Sequence, residues 1–314
     1  MQPIRIAIVG VGKIARDQHI PAIVGNPAFK LTAAASRHAA VTAVANFPTI
    51  EALLDSSVTI DAVAICTPPQ QHYEAARLAL ARDKHVLLEK PPCTSLAQLD
   101  HLVELADTAD RTLYQTWHSR HAHGVAPAAR LLQERRLQRV HVAWKEDVRR
   151  WHPGQTWIWQ AGGFGVLDPG INAFSILTQI IAEPLFATSA LLFMPSNCQA
   201  PIAAEIELTS ASGVAVMVEL DFRHTGTQTW TIDLDTDSGP INLSAGGSVL
   251  SVANERVEPD ANVLAGEYES IYSRFAELIA GGVSEVDARP LQLVADVFMV
   301  AKHVPVEAFD MRAP

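Results

Sequence analysis

The sequence predicts an α/β fold, in which a doubly wound parallel sheet precedes an α+β domain with a large open, mostly antiparallel sheet. Over residues 1–120, short apolar strands alternate with helical segments, which is typical of a parallel sheet with helices on both faces. Beyond residue 120, consecutive strands are joined by short glycine turns, which favours antiparallel pairing. A chain of 314 residues accommodates two such domains, 1–120 and 121–314.

The elements of the first domain follow from apolar runs that stop at glycine, proline or polar residues. Five strands are predicted at 4–9, 31–36, 62–66, 85–88 and 112–117. Three helices are predicted between them, at 13–24, 72–81 and 95–106. The order of strands and helices therefore predicts a dinucleotide-binding domain.

The second domain is predicted to be richer in strands. Its strands are expected at 139–150, 185–194, 202–209, 214–222, 229–235 and 249–252. Its helices are expected at 124–136, after the glycine-rich turn within 157–181, at 268–279 and at 291–303. The last helix, about 290–303, is a candidate to pack back on the first domain.

Composition excludes several classes of function. The formal charge of −10 disfavours a binder of nucleic acid or of anionic membranes, since both need a positive field. The three cysteines form no CxxC pair, so neither a disulfide framework nor a structural zinc site is supported. The sequence shows no signal peptide and no apolar run of about 18 residues, so we expect a cytoplasmic protein.

A glycine loop follows the first strand and opens the first helix. Gly10 permits a tight turn, Gly12 lets the backbone approach a pyrophosphate, and the small Ala15 allows close packing of helix and strand. The position of the loop predicts a dinucleotide site to which Gly10, Gly12, Lys13 and Ile14 contribute. The alternative is a turn with a purely structural role.

The end of the second strand bears on the choice between NAD and NADP. NAD-selective proteins place a carboxylate there for the ribose 2′-hydroxyl, but this sequence has Ser36 and Arg37. A guanidinium can bind a 2′-phosphate through charge-assisted hydrogen bonds. We therefore expect NADP to bind at least as well as NAD, unless Arg37 is only a solvated arginine at a strand end.

Two further motifs complete a recognisable set. Glu89, Lys90 and Pro91 end a strand, and a glycine-rich segment at 162–172 opens a helix of the second domain. Together with the glycine loop and the Thr-Pro-Pro sequence at 67–69, they resemble the Gfo/Idh/MocA family of glucose–fructose oxidoreductase and inositol dehydrogenase. The resemblance implies an N-terminal Rossmann domain and an NAD(P)-dependent oxidoreductase. Within the family, the chain is most similar to bacterial enzymes that oxidise L-arabinose or D-galactose at C1.

The resemblance implies that Lys90 is catalytic, together with Asp168 and Asn172. Many members carry Asp-x-x-x-His on the helix that here carries Asp168 and Asn172. Because asparagine cannot exchange protons at neutral pH, the base is expected to be Lys90, in a possible relay with Asp168. The pKa of a lysine is ordinarily near 10.4, so burial and the cationic nicotinamide must lower it. An isolated Glu-Lys pair would instead be interpreted as a surface ion pair.

The implied reaction is oxidation of an aldopyranose to its aldonolactone. A base removes the proton of the C1 hydroxyl while hydride leaves C1 for the nicotinamide. Two alternatives stay open: inositol-type or keto- or imine-sugar oxidoreduction within the same family, and a non-catalytic cofactor-dependent sensor. The presence of Lys90 and Asp168 argues against the sensor, which needs neither.

Further contacts are expected for both ligands. At the cofactor, the motifs add Thr67, Pro68, His72, Glu89 and Lys90. A monosaccharide presents polar edges and an apolar face, which suits His118, Glu146, Trp151, His152, Asp168, Asn172 and Trp230. The two tryptophans have a second interpretation, since a strand tryptophan is often part of the core.

No metal site is predicted. His118, His121 and His123 lie close in the sequence, but no carboxylate or cysteine accompanies them at a ligand spacing. The basic side chains between 130 and 150 are interspersed with acids and are expected to be solvated. The resemblance also implies a homo-oligomer formed through the sheet of the second domain.

Overall fold

The computed structural model describes residues 2–258 and 266–311. The chain divides into two compact units. The first contains Met1–His118 and Leu264–Ala288, and the second contains Ser119–Val263 and Arg289–Pro314. The first unit is therefore built from two separate stretches of sequence.

The first unit contains the predicted parallel sheet. Its six strands are β1 (Ile4–Val9), β2 (Phe29–Ala35), β3 (Ala45–Phe47), β4 (Ala62–Ile65), β5 (His85–Leu88) and β6 (Leu113–Gln115). They pair in the order β3-β2-β1-β4-β5-β6, and every pair is parallel. Strand β3 was not predicted, because three residues with a central asparagine form no apolar run.

The N-terminal stretch also contains helices, which in doubly wound sheets lie on both faces. They are a π-helical turn (Ala15–His19), α1 (Ile20–Gly25), α2 (Ile50–Leu54), a 3-10 turn (Pro69–Gln71), α3 (His72–Leu80) and α4 (Leu96–Ala109). Helix α4 begins where the hydroxyl of Ser95 accepts a hydrogen bond from the amide of Gln98. It ends at Asp110, which has a positive φ of 52°. The single helix predicted at 13–24 is thus a π-helical turn followed by a short α-helix.

The second unit contains a sheet of nine strands. They are β7 (Leu137–Lys145), β8 (Leu185–Pro195), β9 (Ala203–Ser210), β10 (Ala215–Asp221), β11 (Thr229–Thr236), β12 (Ile241–Ser244), β13 (Val249–Val252), β14 (Glu255–Val257) and β15 (Ala301–Val306). The order is β14-β13-β12-β11-β7-β10-β9-β8-β15. Most pairs are antiparallel, as predicted, but β7 pairs with β10 and β8 with β15 in parallel.

Helix α5 (Val125–Gln133) precedes β7, and two further helices lie between β7 and β8. They are α6 (Val148–Trp151) and α7 (Leu167–Ile180), and 3-10 turns lie at His118–His121, Thr156–Trp159 and Ala245–Gly247. The strand predicted at 139–150 was too long, because Asp147 accepts a hydrogen bond from the amide of Arg149 and begins α6. Gly165 precedes α7 with a positive φ of 55°, where an added Cβ would lie 2.2 Å from the carbonyl oxygen of Pro201.

The C-terminal helices differ from the prediction. Helix α8 (Glu267–Gly281) belongs to the first unit, although the predicted second domain ran without interruption from 121 to 314. Helix α9 (Arg289–Val300), the predicted candidate to pack back on the first domain, lies in the second unit and packs against α7 and β8. The expected helix 291–303 ends at Val300, since β15 follows and pairs with β8. No helix in the described residues is long and apolar enough to cross a membrane.

Helix α8 joins the first unit through one apolar face. The residues that this face contributes to the core recur at helical spacing, and they are Tyr268, Ile271, Tyr272, Phe275 and Leu278. The ring of Phe275 stacks on Phe29 of β2 and on Tyr114 of β6. The burial of this face explains why the helix lies with the first unit.

Candidate active site

Gly10 and Gly12 of the glycine loop have different structural reasons for being glycine. Gly10 has a φ of 90°, and an added Cβ would lie 2.8 Å from Cγ2 of Thr67. At Gly12, by contrast, an added Cβ would have no neighbour within 4 Å. The fold itself therefore requires the first glycine. The second leaves open space beside the backbone, as a bound pyrophosphate would need.

Thr67 lies directly beyond β4 and next to this loop. Its Oγ1 is buried and has no hydrogen-bond partner among the residues that the structure describes. Because burial of an unpaired hydroxyl is unfavourable, this oxygen suits a ligand. Lys13 is exposed and pairs with Asp17, and Ile14 is 36% exposed. These observations fit a dinucleotide held by the glycine loop and Thr67.

Ser36 and Arg37 follow β2 at the same edge of the sheet. The amide of Ser36 donates a hydrogen bond to the carbonyl oxygen of Phe47, 2.9 Å away. The Arg37 side chain is exposed, and within residues 2–258 and 266–311 it makes no ion pair or side-chain hydrogen bond. The guanidinium is thus available to a ligand at the end of β2.

His72 was predicted to contact the cofactor, but it lies fully buried. Its Nδ1 is 2.8 Å from the carbonyl oxygen of Pro91, and its Nε2 is 2.5 Å from that of Thr67. Burial lowers the pKa of His72, although both carbonyl contacts oppose the shift. The ring of His72 therefore links the loops that follow β4 and β5. Pro68, also predicted to contact the cofactor, is half-buried beside Thr67.

Glu89 is the centre of a buried network at the end of β5. Its Oε1 accepts a hydrogen bond from the hydroxyl of Tyr268 at 2.7 Å and lies 3.1 Å from Nε2 of His19. Its Oε2 accepts a hydrogen bond from the backbone amide of Lys90 at 2.8 Å. On the other side of the His19 ring, Nδ1 lies 2.8 Å from the hydroxyl of Tyr272. Glu89 thus serves as an acceptor for groups of the protein itself, and its predicted contact with a cofactor stays a prediction.

These partners determine the charge of Glu89. Burial alone would raise the pKa of this carboxyl. The hydrogen bond and charge of His19, the charge of His118 and the hydroxyl of Tyr268 outweigh burial and lower the pKa to about 2. Glu89 is therefore a carboxylate at any pH at which an enzyme of this kind would be assayed.

His118, a predicted substrate contact, belongs to the same surroundings. Its Nδ1 lies 2.7 Å from Oε2 of Glu267, and its ring stacks on Tyr268 with centroids 5.8 Å apart. Burial lowers the pKa of His118, but the hydrogen bond and charge of Glu267 outweigh burial and raise it. In the described part of the chain, no three His, Cys, Asp or Glu side chains are grouped as metal ligands.

The order of the strands arranges these groups in a line. The side chains after β2, β1, β4 and β5 are Arg37, the glycine loop, Thr67 and then Lys90, and these four strands are neighbours in that order. The carboxyl ends of parallel strands lie at one edge, where ligands bind in open α/β sheets. From β2 to β5 the edge spans three strand spacings, or about 14 Å. An extended dinucleotide with one end at Arg37 would thus have its other end near Lys90.

The second unit contains a cluster around Glu146. Oε1 of Glu146 lies 2.7 Å from Nε2 of His152, and Oε2 accepts a hydrogen bond from Nε1 of Trp230 at 2.8 Å. The other nitrogen of His152 lies 3.3 Å from Oε1 of Gln155. The structure therefore brings together three of the predicted substrate residues. Glu146 is buried, so it orients the other two side chains.

Aromatic rings extend this cluster. Trp230 stacks on Trp144 with centroids 6.1 Å apart, and Trp151 lies against Trp230 with centroids 4.8 Å apart. The Arg150 guanidinium lies 5.1 Å from the Trp151 ring. Trp144 is buried, whereas Trp151 and Trp230 are partly exposed. The two predicted tryptophans thus lie at the border between core and surface.

Asp168 and Asn172 lie on α7, four residues apart and hence on one face of the helix. Asp168 is buried in the first turn, where a negative charge is favoured by the helix dipole. Oδ1 of Asn172 is buried and accepts no hydrogen bond from a described residue. An amide oxygen in this situation suits a hydroxyl donor on a ligand.

Sequence patterns did not identify four residues of the Glu89 and His118 surroundings, namely His19, Glu267, Tyr268 and Tyr272. His19 ends the π-helical turn after the glycine loop, and such turns are frequent at functional sites. The spacing of the two tyrosines predicts a common helix face but not the domain against which this face packs.

The chain matches known proteins along its whole length. The Gfo/Idh/MocA family model, described as an oxidoreductase family with an NAD-binding Rossmann fold, matches residues 4–116. A galactose 1-dehydrogenase of Pseudomonas fluorescens is 44% identical over 313 residues, which cover 98% of this chain and 99% of that protein. A crystal structure of a D-galactose-1-dehydrogenase from Rhizobium etli is 52% identical, with a TM-score of 0.93 and 99% of each chain covered.

A more distant structure shares the fold. The 3-ketoreductase KijD10 of Actinomadura kijaniata, in complex with NADP and TDP-benzene, has a TM-score of 0.83 at 21% identity and covers 97% of this chain and 99% of its own. The family model accounts for the parallel sheet, and the two galactose dehydrogenases extend the likeness over the second unit. The chain belongs to the Gfo/Idh/MocA family of oxidoreductases with an NAD-binding Rossmann fold.

Proposed function

We propose that this protein is an NAD(P)-dependent aldose 1-dehydrogenase, which oxidises D-galactose, L-arabinose or both at C1 to the lactone. The observation that carries this proposal is the extent of the likeness to the two galactose 1-dehydrogenases, which covers at least 98% of this chain. A likeness confined to the first unit would support only a shared cofactor. Here it includes the second unit.

In this proposal, Lys90 is the acid/base and takes the proton of the C1 hydroxyl. When bound, the nicotinamide cofactor accepts the hydride of the sugar C1. Asn172 cannot take the proton, so its amide orients a sugar hydroxyl. Asp168 binds a second hydroxyl and is the alternative proton acceptor. The glycine loop, Thr67 and Arg37 hold the dinucleotide, and its position determines which sugar carbon reacts.

The sugar contacts follow from the second unit. Trp151 and Trp230 offer apolar faces, and such faces suit the C–H side of a pyranose. Glu146 accepts hydrogen bonds from His152 and Trp230, so it fixes the direction in which both rings point. Recognition of D-galactose and L-arabinose by one site is expected, because their rings share the configuration at C2 to C4.

A panel of sugars tests the function. The protein is mixed with NADP or NAD and with D-galactose, L-arabinose, D-fucose, D-xylose, D-glucose or myo-inositol, and the absorbance of reduced nicotinamide is followed. We expect the highest kcat/KM for D-galactose, L-arabinose or D-fucose. Oxidation of myo-inositol alone would replace the proposal with ring oxidation. Cofactor binding without turnover of any substrate would instead indicate a sensor.

The cofactor preference has its own test. Arg37→Asp is expected to reverse the ratio of kcat/KM for NADP to that for NAD, because a carboxylate repels the 2′-phosphate and accepts a hydrogen bond from the 2′-hydroxyl. Loss of one charge-assisted pair predicts a change of about tenfold or more in this ratio.

Lys30→Asp is the matched control for Arg37→Asp. Lys30→Asp makes the same change of charge at an exposed position near the start of β2, whereas Arg37 follows the end of this strand. The ratio should stay that of the native protein in this variant. An unchanged ratio in Arg37→Asp would contradict the role of Arg37.

A further inference from the structure

Glu89 has no part in the proposed reaction, yet it is one of the most strongly held charges in the first unit. It is 4% exposed and surrounded by His19, Tyr268 and the Lys90 amide, all within hydrogen-bond distance. An unpaired buried carboxylate would be strongly unfavourable, and these hydrogen bonds offset that penalty. Such an arrangement holds the carboxylate in one place, and with it the backbone of the next residue.

The partners of Glu89 come from distant parts of the chain. His19 ends the turn that follows the glycine loop, and Tyr268 lies in the first turn of α8. Lys90 is the residue directly after Glu89. The carboxylate therefore ties together the cofactor loop, the returning helix and the lysine.

The Glu89 carboxylate fixes the direction of its contact with His19. Glu89 as a carboxylate can only accept, so Nε2 of His19 must donate to it. On the other side of the ring, Nδ1 lies 2.8 Å from the hydroxyl of Tyr272. Tyr272, His19 and Glu89 therefore form a continuous chain of contacts, which holds the histidine ring in place.

We propose that Tyr268 and His19 are positioning residues for Lys90: they hold the Glu89 carboxylate against the Lys90 amide and thereby fix the lysine relative to the glycine loop. This inference rests on the proposed role of Lys90 as the acid/base. It explains why α8, some 180 residues away in sequence, returns to the first unit. A displacement of about 1 Å at a reacting group is enough to lower a rate strongly.

The ionisation of Glu89 supplies a signature of this role. The titratable groups that interact with Glu89 are His19, Cys66, His72, His118, Tyr268 and Tyr272, and the Lys90 amide also donates to it. The hydrogen bond of the Tyr268 hydroxyl contributes to lowering the pKa of Glu89 to about 2. Its removal raises that pKa, so Glu89 becomes protonated at a higher pH than in the native protein. The stability that the ionised carboxylate contributes is therefore lost at a higher pH as the solution is acidified.

The test is Tyr268→Phe, which removes one hydroxyl and keeps the ring beside His118. We expect kcat for the best sugar to fall about tenfold, the usual effect of losing a hydrogen bond to a charge. The KM for the sugar and the dissociation constant of NADPH should change little. Acid-induced unfolding of the variant should begin at a higher pH than that of the native protein, because its Glu89 becomes protonated at a higher pH.

A double-mutant cycle separates this role from a general structural one. Glu89→Gln should lower kcat, and in this background Tyr268→Phe should not shift the pH of acid-induced unfolding, since the amide does not titrate. Tyr268→Phe combined with Glu89→Gln should then be no slower than Glu89→Gln alone, because Tyr268 acts through Glu89. Tyr73→Phe is the control, since it removes a hydroxyl that contacts His101 at an exposed position.

Additive losses of kcat in the cycle, or acid-induced unfolding of Tyr268→Phe at the same pH as that of the native protein, would overturn the inference. Both outcomes are distinct from failure of the proposed function, which would appear as a native protein without turnover of any sugar. In that case the pH dependence of the unfolding of Tyr268→Phe still reports on Glu89. An unfolding profile identical to that of the native protein would then refute the network.

Discussion

Lys90→Ala is expected to lower kcat by about a thousandfold, the usual contribution of a general acid/base. The loss should appear in kcat, while the dissociation constant of NADPH stays close to that of the native protein. The reason lies in the geometry of the first unit. Lys90 follows β5, three strands from Arg37, and the glycine loop and Thr67, which we propose bind the dinucleotide, follow the two strands between them. Steady-state kinetics and NADPH fluorescence titration measure the two quantities separately.

Lys84→Ala is the matched control, because Lys84 precedes β5 and lies at the opposite edge of the sheet. It should retain native kcat. Lys90→Arg distinguishes the two possible bases, since arginine keeps the charge but cannot take a proton. If Lys90 is the base, Lys90→Arg should be as slow as Lys90→Ala. Substantial recovery in Lys90→Arg, with a large loss in Asp168→Asn, would transfer the role to Asp168.

The first sheet could be predicted well because its signals are local. Each of β1, β4 and β5 is a short apolar run ended by glycine, by threonine and proline, or by the Glu89–Lys90 pair. The glycine loop indicated a dinucleotide because its position between strand and helix is itself a sequence feature. Where a run is too short or too polar, as in β3, the same reasoning found nothing.

Local sequence signals could not predict the domain against which α8 packs. The periodicity of Tyr268, Tyr272 and Phe275 predicts a helix with one apolar face, but two cores were available to cover that face. The choice depends on packing against Phe29 and Tyr114, which lie far away in sequence. For the same reason, the surroundings of Glu89 were predicted only in part: Lys90 is its neighbour in sequence, whereas His19 and Tyr268 are neighbours only in the folded chain.

In the second unit, too, the sequence predicted the residue types of the site but not their arrangement. Glu146, His152 and Trp230 were selected as polar or aromatic side chains suited to a sugar, and the structure groups them. That Glu146 would be buried and would orient the other two could not be derived, because β7 and β11 become neighbours only through the register of the sheet.

Phe275→Ala is expected to lower the free energy of unfolding by about 3–5 kcal/mol, the usual cost of truncating a buried phenylalanine. Phe275 is fully buried and stacks on Phe29 at 5.9 Å and on Tyr114 at 6.1 Å. Its loss leaves a cavity between α8 and the parallel sheet. Urea denaturation measures the total effect, and hydrogen exchange of the amides in β1, β4 and β5 locates it.

Met299→Ala is the control for Phe275→Ala, since Met299 is also an apolar side chain on a C-terminal helix but is 84% exposed. Its effect should stay within about 0.5 kcal/mol. Equal effects of the two substitutions would show that α8 does not stabilise the first unit. A selective effect of Phe275→Ala, with faster exchange in the parallel strands, would show that residues 1–118 need the returning helix. The helix that carries Tyr268 to Glu89 would then also stabilise the sheet that carries Lys90.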